Sequence, residues 1–401
     1  MKMSRRPMPS SLHSAIDPHP KEHIMKISPF AVEIWMNEFE TKCELNLAET
    51  CVESLTVGQL LDMADKKDVI LSELLPMKLT YGAIEGSPRL RKLVAGLYKN
   101  QQPENVTITH GAIGANALAH KTLVERGDRV ISVLPTYQQH YSIPESIGAD
   151  TQVLRLTEET SFLPDLAKLQ ELATPGTKLI VINNPNNPTG ALMDRAYLKK
   201  IVEIARSVDA WILCDEVYRG TDQNGDGETV SLADLYEKGI STSSMSKSYS
   251  LAGLRLGWIV APLELIQAVS IHRDYNTISV GMLDDHFACI ALENRDKILA
   301  RSRAITRTNL AIVAEWVEQE PLISWIKPQS GTIGLLKYDL PITSREFCLN
   351  LLKETGVMLT PGSAMSMEGY VRIGFANNEH HLREGLGRMS RFLAAQRVVT
   401  A

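Results

Sequence analysis

The chain of 401 residues has little of what marks a special environment. Its five cysteines (Cys43, Cys51, Cys214, Cys289 and Cys348) are odd in number and scattered, and no two form a CxxC pair. This argues against a disulfide framework or a structural zinc site, and for a reducing compartment, the cytoplasm. No run is apolar and long enough to span a bilayer. There is no excess of basic charge: 42 Lys and Arg stand against 47 Asp and Glu, a net charge of −5. Nucleic acid is therefore not expected as a partner, although a local basic pocket for a small anion remains compatible with that balance. Residues 1–25, rich in Pro, Ser and His, lack the apolar core of a signal peptide and read as a flexible arm. His13, His19 and His23 within it are expected to be solvated, and no metal site is expected anywhere. What remains, 44% hydrophobic and 22% charged residues, is the composition of a globular protein long enough for two packed domains.

Apolar runs alternate with helical periodicity through the middle of the chain. Strands are expected at Val106–Thr109, Arg129–Leu134, Lys178–Asn183, Trp211–Asp215 and Leu256–Ala261. Helices are expected between them, at Ala115–Glu125 and Asp194–Ser207. This is the pattern of an α/β layer structure with a mostly parallel central sheet flanked by helices. In such sheets ligands sit beyond the carboxyl ends of the strands. From about residue 284 the character changes. Asp284–Glu318 reads as one long helical stretch. Short strands at Ile333–Tyr338 and Tyr370–Phe375 and helices at Ser344–Glu354 and Glu379–Arg397 follow. The expected division is a segment 26–75 partly joining a small domain, a large domain 76–283, and a small α+β domain 284–401. No internal repeat is present.

Six motifs fall where a site would lie. In Ser244-Met-Ser-Lys247, a lysine follows small residues, and a lysine in a protected site can form a Schiff base with an aldehyde. Arg255, eight residues on, and the Ser244 hydroxyl could reach a phosphate. The bland reading is a surface lysine and a structural arginine. Asp215, at the end of an apolar strand, needs a cationic partner such as a protonated pyridine nitrogen, unless it caps the next helix. Tyr218 lies three residues beyond it. Asn183-Asn-Pro-Asn-Asn187-Pro-Thr-Gly190 forms a sharp turn that could aim the Asn187 amide at a ligand, and it is the most specific single string. Gly111-Ala112-Ile113-Gly114 opens a helix whose free N–H groups suit a phosphate, although tight strand–helix turns use the same residues. Tyr137 could stack on a flat ring or be a buried structural tyrosine. Arg372, inside an apolar strand, needs an anion, either a substrate carboxylate or an internal salt bridge. Asp222-Gln-Asn-Gly-Asp-Gly-Glu228 imitates the start of an EF-hand, but Ala233 stands where the bidentate glutamate belongs, so a solvated loop is expected.

In their order and spacing these residues, with Tyr81-Gly82 and Gly86, resemble the class I/II aminotransferases of the aspartate aminotransferase superfamily, enzymes of pyridoxal 5′-phosphate (PLP) fold type I. The resemblance runs from about Glu33 to the end. It implies PLP as cofactor and amino acid and 2-oxo acid as substrates. Lys247 would carry the Schiff base and move the proton at the substrate Cα. Asp215 would pair with the ring nitrogen, Tyr218 and Asn187 would bind the ring oxygen, and Tyr137 would stack on the ring. Ser244, Arg255 and the backbone of Ala112 and Ile113 would hold the phosphate. Arg372, with Asn187, would bind the substrate carboxylate. Tyr81 would reach the phosphate of a neighbouring subunit, which implies a homodimer with shared sites.

The chain departs from that family in two places. The substrate loop that usually reads Leu-Gly-x-Gly-x-Pro is here Asn46-Leu-Ala-Glu49-Thr-Cys-Val-Glu53, similar to the loop of capreomycidine-synthase-type enzymes, which use PLP to cyclise an arginine derivative. Glu49 or Glu53 could meet a cationic or polar substrate side chain; the competing reading is a surface salt bridge. In Pro361-Gly-Ser-Ala-Met-Ser-Met367, Ala364 and Met365 replace a usual Phe-Gly pair. The leading expectation is an aminotransferase. A PLP-dependent cyclase, lyase or oxidase on the same fold is the rival. A non-catalytic PLP-fold binding protein ranks last, because Lys247 is present.

Overall fold

The computed structural model describes residues 27–400, so the arm expected at 1–25, with its histidines, lies outside the described residues. In chain order the strands are β1 (Leu45–Asn46), β2 (Val106–Thr109), β3 (Arg129–Leu134), β4 (Asp150–Arg155), β5 (Thr177–Asn183), β6 (Trp211–Asp215) and β7 (Gly239–Ser244). They continue with β8 (Gly257–Val260), β9 (Ile323–Ser324), β10 (Ile333–Tyr338), β11 (Val357–Met358), β12 (Thr360–Pro361) and β13 (Tyr370–Gly374). Seven of them make one sheet in the order β2-β8-β7-β6-β5-β3-β4. Only β8 runs against its neighbours, so the sheet is mostly parallel, as expected.

Both faces of this sheet are covered, and the sequence shows why. Successive side chains of a strand point to opposite faces. Leu179, Val181 and Leu213 go to the face packed by the helices Gly111–Leu123 and Leu263–Asp274. Ile180, Ile182 and Ile212 go to the face packed by Leu198, Ile201 and Val202 of the helix Arg195–Ser207. A strand buried on both sides reads as a mostly apolar run, as the middles of β5 and β6 do, and each buried apolar side chain contributes about 1.5–3 kcal/mol. The helix Arg195–Ser207 starts where Asp194 accepts the Tyr197 N–H at 2.7 Å.

A second sheet, β12-β13-β10-β9, is antiparallel, and β1 pairs in parallel with β11. The helices Arg295–Gln319, Ser344–Thr355 and Glu379–Thr400 pack around it on Phe347, Leu351 and Phe375. Trp35, Leu45 and Leu47 belong to the same core, and Trp35 Nε1 donates to Leu359 O at 2.8 Å. Residues near the start of the chain are thus packed among residues three hundred positions later.

Three expectations need correction. The stretch 284–318 is not one helix but two, Met282–Glu293 and Arg295–Gln319. They part at Asn294, whose side chain donates to Ile290 O at 3.0 Å and so competes with helix continuation. Strands β4 and β7 were not expected. β4 is an edge strand with charged ends, and β7 is a run of serine and threonine whose burial comes from its neighbours rather than from its own apolarity. The helix after β2 begins at Gly111, four residues earlier than its apolar pattern announces.

Candidate active site

The parallel strands β5, β6 and β7 end side by side, with Asn183 beside Asp215 and Asp215 beside Thr242. Beyond those ends lies a cavity of about 380 Å³. Asp215 forms its floor and is buried. Its Oδ2 accepts from Asn116 Nδ2 at 2.9 Å and faces His140 Nε2 at 3.3 Å. Asn116 is itself oriented, because Thr242 Oγ1 donates to its Oδ1 at 2.6 Å. Behind His140 lies His120, fully buried and held neutral by burial and by the nearness of His140. The helix-capping reading of Asp215 is not what the structure shows: Oδ1 accepts the Val217 N–H at 3.2 Å in a turn, and no α-helix follows.

On one wall the helix Gly111–Leu123 points its N-terminus at the cavity. Its N-cap His110 makes no capping hydrogen bond, so the first N–H groups are left for another acceptor. Gly111 has φ +66°, and a Cβ there would meet the Arg255 guanidinium at 3.2 Å. A Cβ on Gly257 would lie 2.4 Å from Gly111 C and 2.6 Å from Ala112 N. The two glycines let β8 and the helix start converge on one small concavity, completed by Ser244, Ser246 and Arg255. Arg255 is held in the left-handed region, φ +49°, where a non-glycine residue is strained. It is exposed and donates to Ala252 O at 2.8 Å.

Lys247 reaches in from the end of the segment after β7. Its Nζ donates to Thr50 Oγ1 at 2.6 Å and lies 3.5 Å from Cys51 Sγ. Burial pulls this lysine down, but Cys51, Tyr218 and Glu49 together outweigh it and leave the ammonium above the usual lysine range. A protected position therefore does not by itself strip the proton, because acidic neighbours offset it. Glu49 Oε1 accepts the Thr50 and Cys51 N–H groups at 2.7 and 2.9 Å. Burial acts to raise the Glu49 carboxyl, yet Lys247 and those N–H groups hold it below the ordinary carboxylate range. The loop is pinned from beneath: Gly374 N donates to Leu47 O at 2.7 Å, and a Cβ on Gly374 would strike Glu49 O.

Arg372, on β13, is 3% exposed. Its Nη atoms donate to Asn187 Oδ1 at 3.2 Å, Thr360 Oγ1 at 3.2 Å and Ala48 O at 3.4 Å, while its Nε has no partner among the described residues. The internal salt bridge is overturned: among the described residues no carboxylate pairs with this guanidinium, and burial pulls it below the usual arginine range. A buried, unpaired cation is costly and calls for an anion from outside the chain.

Eleven expected residues line this one cavity: Glu49, Ala112, Ile113, Tyr137, Asn187, Asp215, Tyr218, Ser244, Lys247, Arg255 and Arg372. Tyr81 and Glu53 do not. Tyr81 is 80% exposed, away from the cavity, and Glu53 is exposed in an ion pair with Arg301 at 3.6 Å, the surface salt bridge that was the alternative for it. For Glu49 that alternative fails, since it makes no ion pair among the described residues and faces the cavity. Sequence reading missed Asn116, His140, Thr50, Cys51, Glu33 and Glu40. Asn116 and His140 lie just past the Gly111–Gly114 and Tyr137 motifs, on helices where only the packing decides that both turn towards Asp215. Glu33 and Glu40 come from a segment whose position over the cavity is set by long-range packing.

Fold and site together define a PLP fold type I protein, and the residues present fit that cofactor: an uncapped helix start in a glycine-lined cradle for a phosphate, an oriented buried carboxylate for a ring nitrogen, and a lysine between them. The chain belongs to the family "Aminotransferase class I and II", whose sequence model matches residues 52–389, and PLP is its cofactor. It is similar to a PLP-dependent aminotransferase from Streptococcus suis 89-1591, with a TM-score of 0.90 and 43% identity over 93% of this chain and 99% of that one. It is 28% identical to capreomycidine synthase of Streptomyces vinaceus over 90% of this chain and 92% of that protein. The PLP-dependent cyclase OrfR matches with a TM-score of 0.85 and 26% identity, covering 95% of this chain and all of that one.

Proposed function

We propose that this protein is an aminotransferase, moving an amino group between an amino acid and a 2-oxo acid. The observation that carries the reading is Arg372, a buried guanidinium with an orphaned Nε, lining the same cavity as Lys247 and Asp215. When bound, PLP supplies an aldehyde that condenses with an amine and a conjugated ring that accepts the electron pair left by removal of a Cα proton. In this reading Arg255, Ser244 and the N–H groups of Ala112 and Ile113 hold the phosphate. Asp215, oriented by Asn116 and His140, pairs with the ring nitrogen. Tyr218 and Asn187 bind the ring oxygen, and Tyr137 stacks on the ring. Arg372 holds the substrate carboxylate and so sets which bond at Cα faces Lys247. Lys247, as a free amine, would remove that proton and return it two bonds away, across the nitrogen.

A homodimer belongs to this proposal. Leu71, Leu75, Leu79, Tyr81, Ile271 and Tyr275 are 64–93% exposed. Gly82, next to Tyr81, lies near Met282, seven residues after Tyr275: a Cβ on Gly82 would lie 3.4 Å from Met282 Cγ. An apolar face of this kind marks a protein interface, and a second copy there would bring Tyr81 towards the neighbouring cavity. No helix among the described residues is long and apolar enough to cross a membrane. The five free cysteines support the cytoplasm as its place.

A second reading, a cyclase on the same fold, is favoured by the likeness to OrfR and by the glycine-free loop 46–53. The test is the absorbance of PLP-loaded protein as amino acids are added, with product analysis. A spectral change with a matching 2-oxo acid, reversed by a second 2-oxo acid, supports transamination. A cyclic product without an oxo acid replaces it with the cyclase. Lys247→Ala should abolish turnover in either case.

A further inference from the structure

We propose that the substrate carries a cation, an ammonium or a guanidinium, at the end of its side chain, and that Glu33 and Glu40 receive it. The inference rests on the aminotransferase reading and assigns the substrate class of that same site. It comes from an inventory of charge. The cavity is lined by the cations Lys247, Arg255 and Arg372 and the anions Asp215, Glu33, Glu40 and Glu49. In the proposed function Lys247 meets the cofactor aldehyde, Arg255 the phosphate, Arg372 the substrate carboxylate and Asp215 the ring nitrogen. Glu49 is committed to its own loop, where its Oε1 accepts the Thr50 and Cys51 N–H groups. Glu33 and Glu40 are left over. Neither makes an ion pair among the described residues, although Glu38, on another side of the helix, meets Arg345 at 4.0 Å.

Their arrangement has a shape as well as a sign. Glu33 and Met36 lie on the helix Ala31–Phe39, and Glu40 is its C-cap. Spacings of three and four residues place all three on one helical face, and the seven-residue span covers about 10 Å. The strip presented to the cavity is thus carboxylate, thioether, carboxylate, with Val32 beside it. Lysine- and arginine-like side chains have the matching form, an apolar stem carrying a charged head. Glu33 is half-buried and oriented, since the Tyr137 hydroxyl donates to its Oε1 at 3.2 Å. The other end of the ligand is fixed independently by Arg372, 3% exposed with an unpartnered Nε. A molecule with a carboxylate at one end and a cation at the other satisfies both. A dicarboxylic amino acid would set a second carboxylate against two unmatched glutamates, a like-charge juxtaposition that selects against it.

The test uses the purified full chain loaded with PLP and a panel of L-arginine, L-ornithine and L-lysine against L-citrulline, L-norleucine and L-glutamate. Citrulline has nearly the shape of arginine without its charge. The expected kcat/KM for the best cationic substrate exceeds that for citrulline by about tenfold or more, about 1.4 kcal/mol per factor of ten. The cation-over-citrulline ratio should drop about tenfold in Glu40→Gln and further in the Glu33→Gln/Glu40→Gln double variant. Glu40 is exposed, so its variant tests the idea without endangering the fold. Turnover of citrulline, norleucine or glutamate as fast as that of the cations, or a ratio unmoved by Glu40→Gln, overturns the inference and leaves the aminotransferase standing. An enzyme that neither changes spectrum nor forms an oxo acid with any member overturns the aminotransferase reading, and this inference with it.

Discussion

Replacing Arg372 by methionine separates a ligand-binding arginine from a structural one. The side chain is 3% exposed, with three hydrogen bonds of 3.2 to 3.4 Å and an orphaned Nε. Losing three long bonds costs roughly 0.5–1.5 kcal/mol each. Relieving a buried, unpaired cation returns several kcal/mol, and methionine fills most of the volume. The stability of Arg372→Met should therefore stay within about 2 kcal/mol of the parent, read from denaturant midpoints. Catalysis should respond differently. Removing one partner of a desolvated guanidinium–carboxylate pair costs about 2–5 kcal/mol, or roughly 30- to 5000-fold in kcat/KM. The decisive assay compares an amino acid with its decarboxylated amine. The parent should prefer the amino acid strongly, and the variant should lose that preference while handling the amine much as before. An equal loss on both compounds, or a stability loss that accounts for the missing activity, would refute the assignment.

Gly257→Val should weaken PLP binding, because its Cβ falls 2.4–2.6 Å from backbone atoms of Gly111 and Ala112, and overpacking of this kind costs about 1–3 kcal/mol. PLP titration by fluorescence checks it, and unchanged affinity would show that the cradle is elsewhere. Burial, opposed by the Ser330 hydroxyl and reinforced by Asp226 and Glu228, pushes Asp222 up to about 6. The folded state then holds a proton that the unfolded chain has released, so stability should fall as pH rises between about 4 and 6 and level off above, by up to about 3 kcal/mol. Asp222→Asn should flatten that slope and be more stable than the parent at pH 8 in thermal unfolding; an unchanged slope would sink the idea. Leu75→Glu/Leu79→Glu, placed on side chains 80% and 78% exposed, should give a monomer by sedimentation with reduced turnover, and a persistent dimer would move the interface.

Much of this protein was determined by sequence alone. Strands β2, β3, β6 and β10 were legible to the residue, because each is a short run rich in β-branched and apolar residues, nearly all of them buried, whether its neighbours run parallel or antiparallel. The capped helix Arg195–Ser207 was legible because Asp194 announces it. Eleven expected residues line one cavity, and most of them were legible because the motifs containing them sit at strand ends or tight turns, where local chemistry constrains residue type; Arg372, in mid-strand, stood out as a charge in an apolar run. Tertiary structure decided the rest. β7 has no apolar signature, and only its neighbours bury it. Asn116 and His140 converge on Asp215 from separate helices. Glu33 and Glu40 reach the cavity because Trp35, between them, packs into a core built largely from residues after 310. Whether Arg372 was paired inside the chain or left for a ligand could not be read from its strand either. A strand's composition shows that a cation is buried, but only the fold shows what charge is brought beside it.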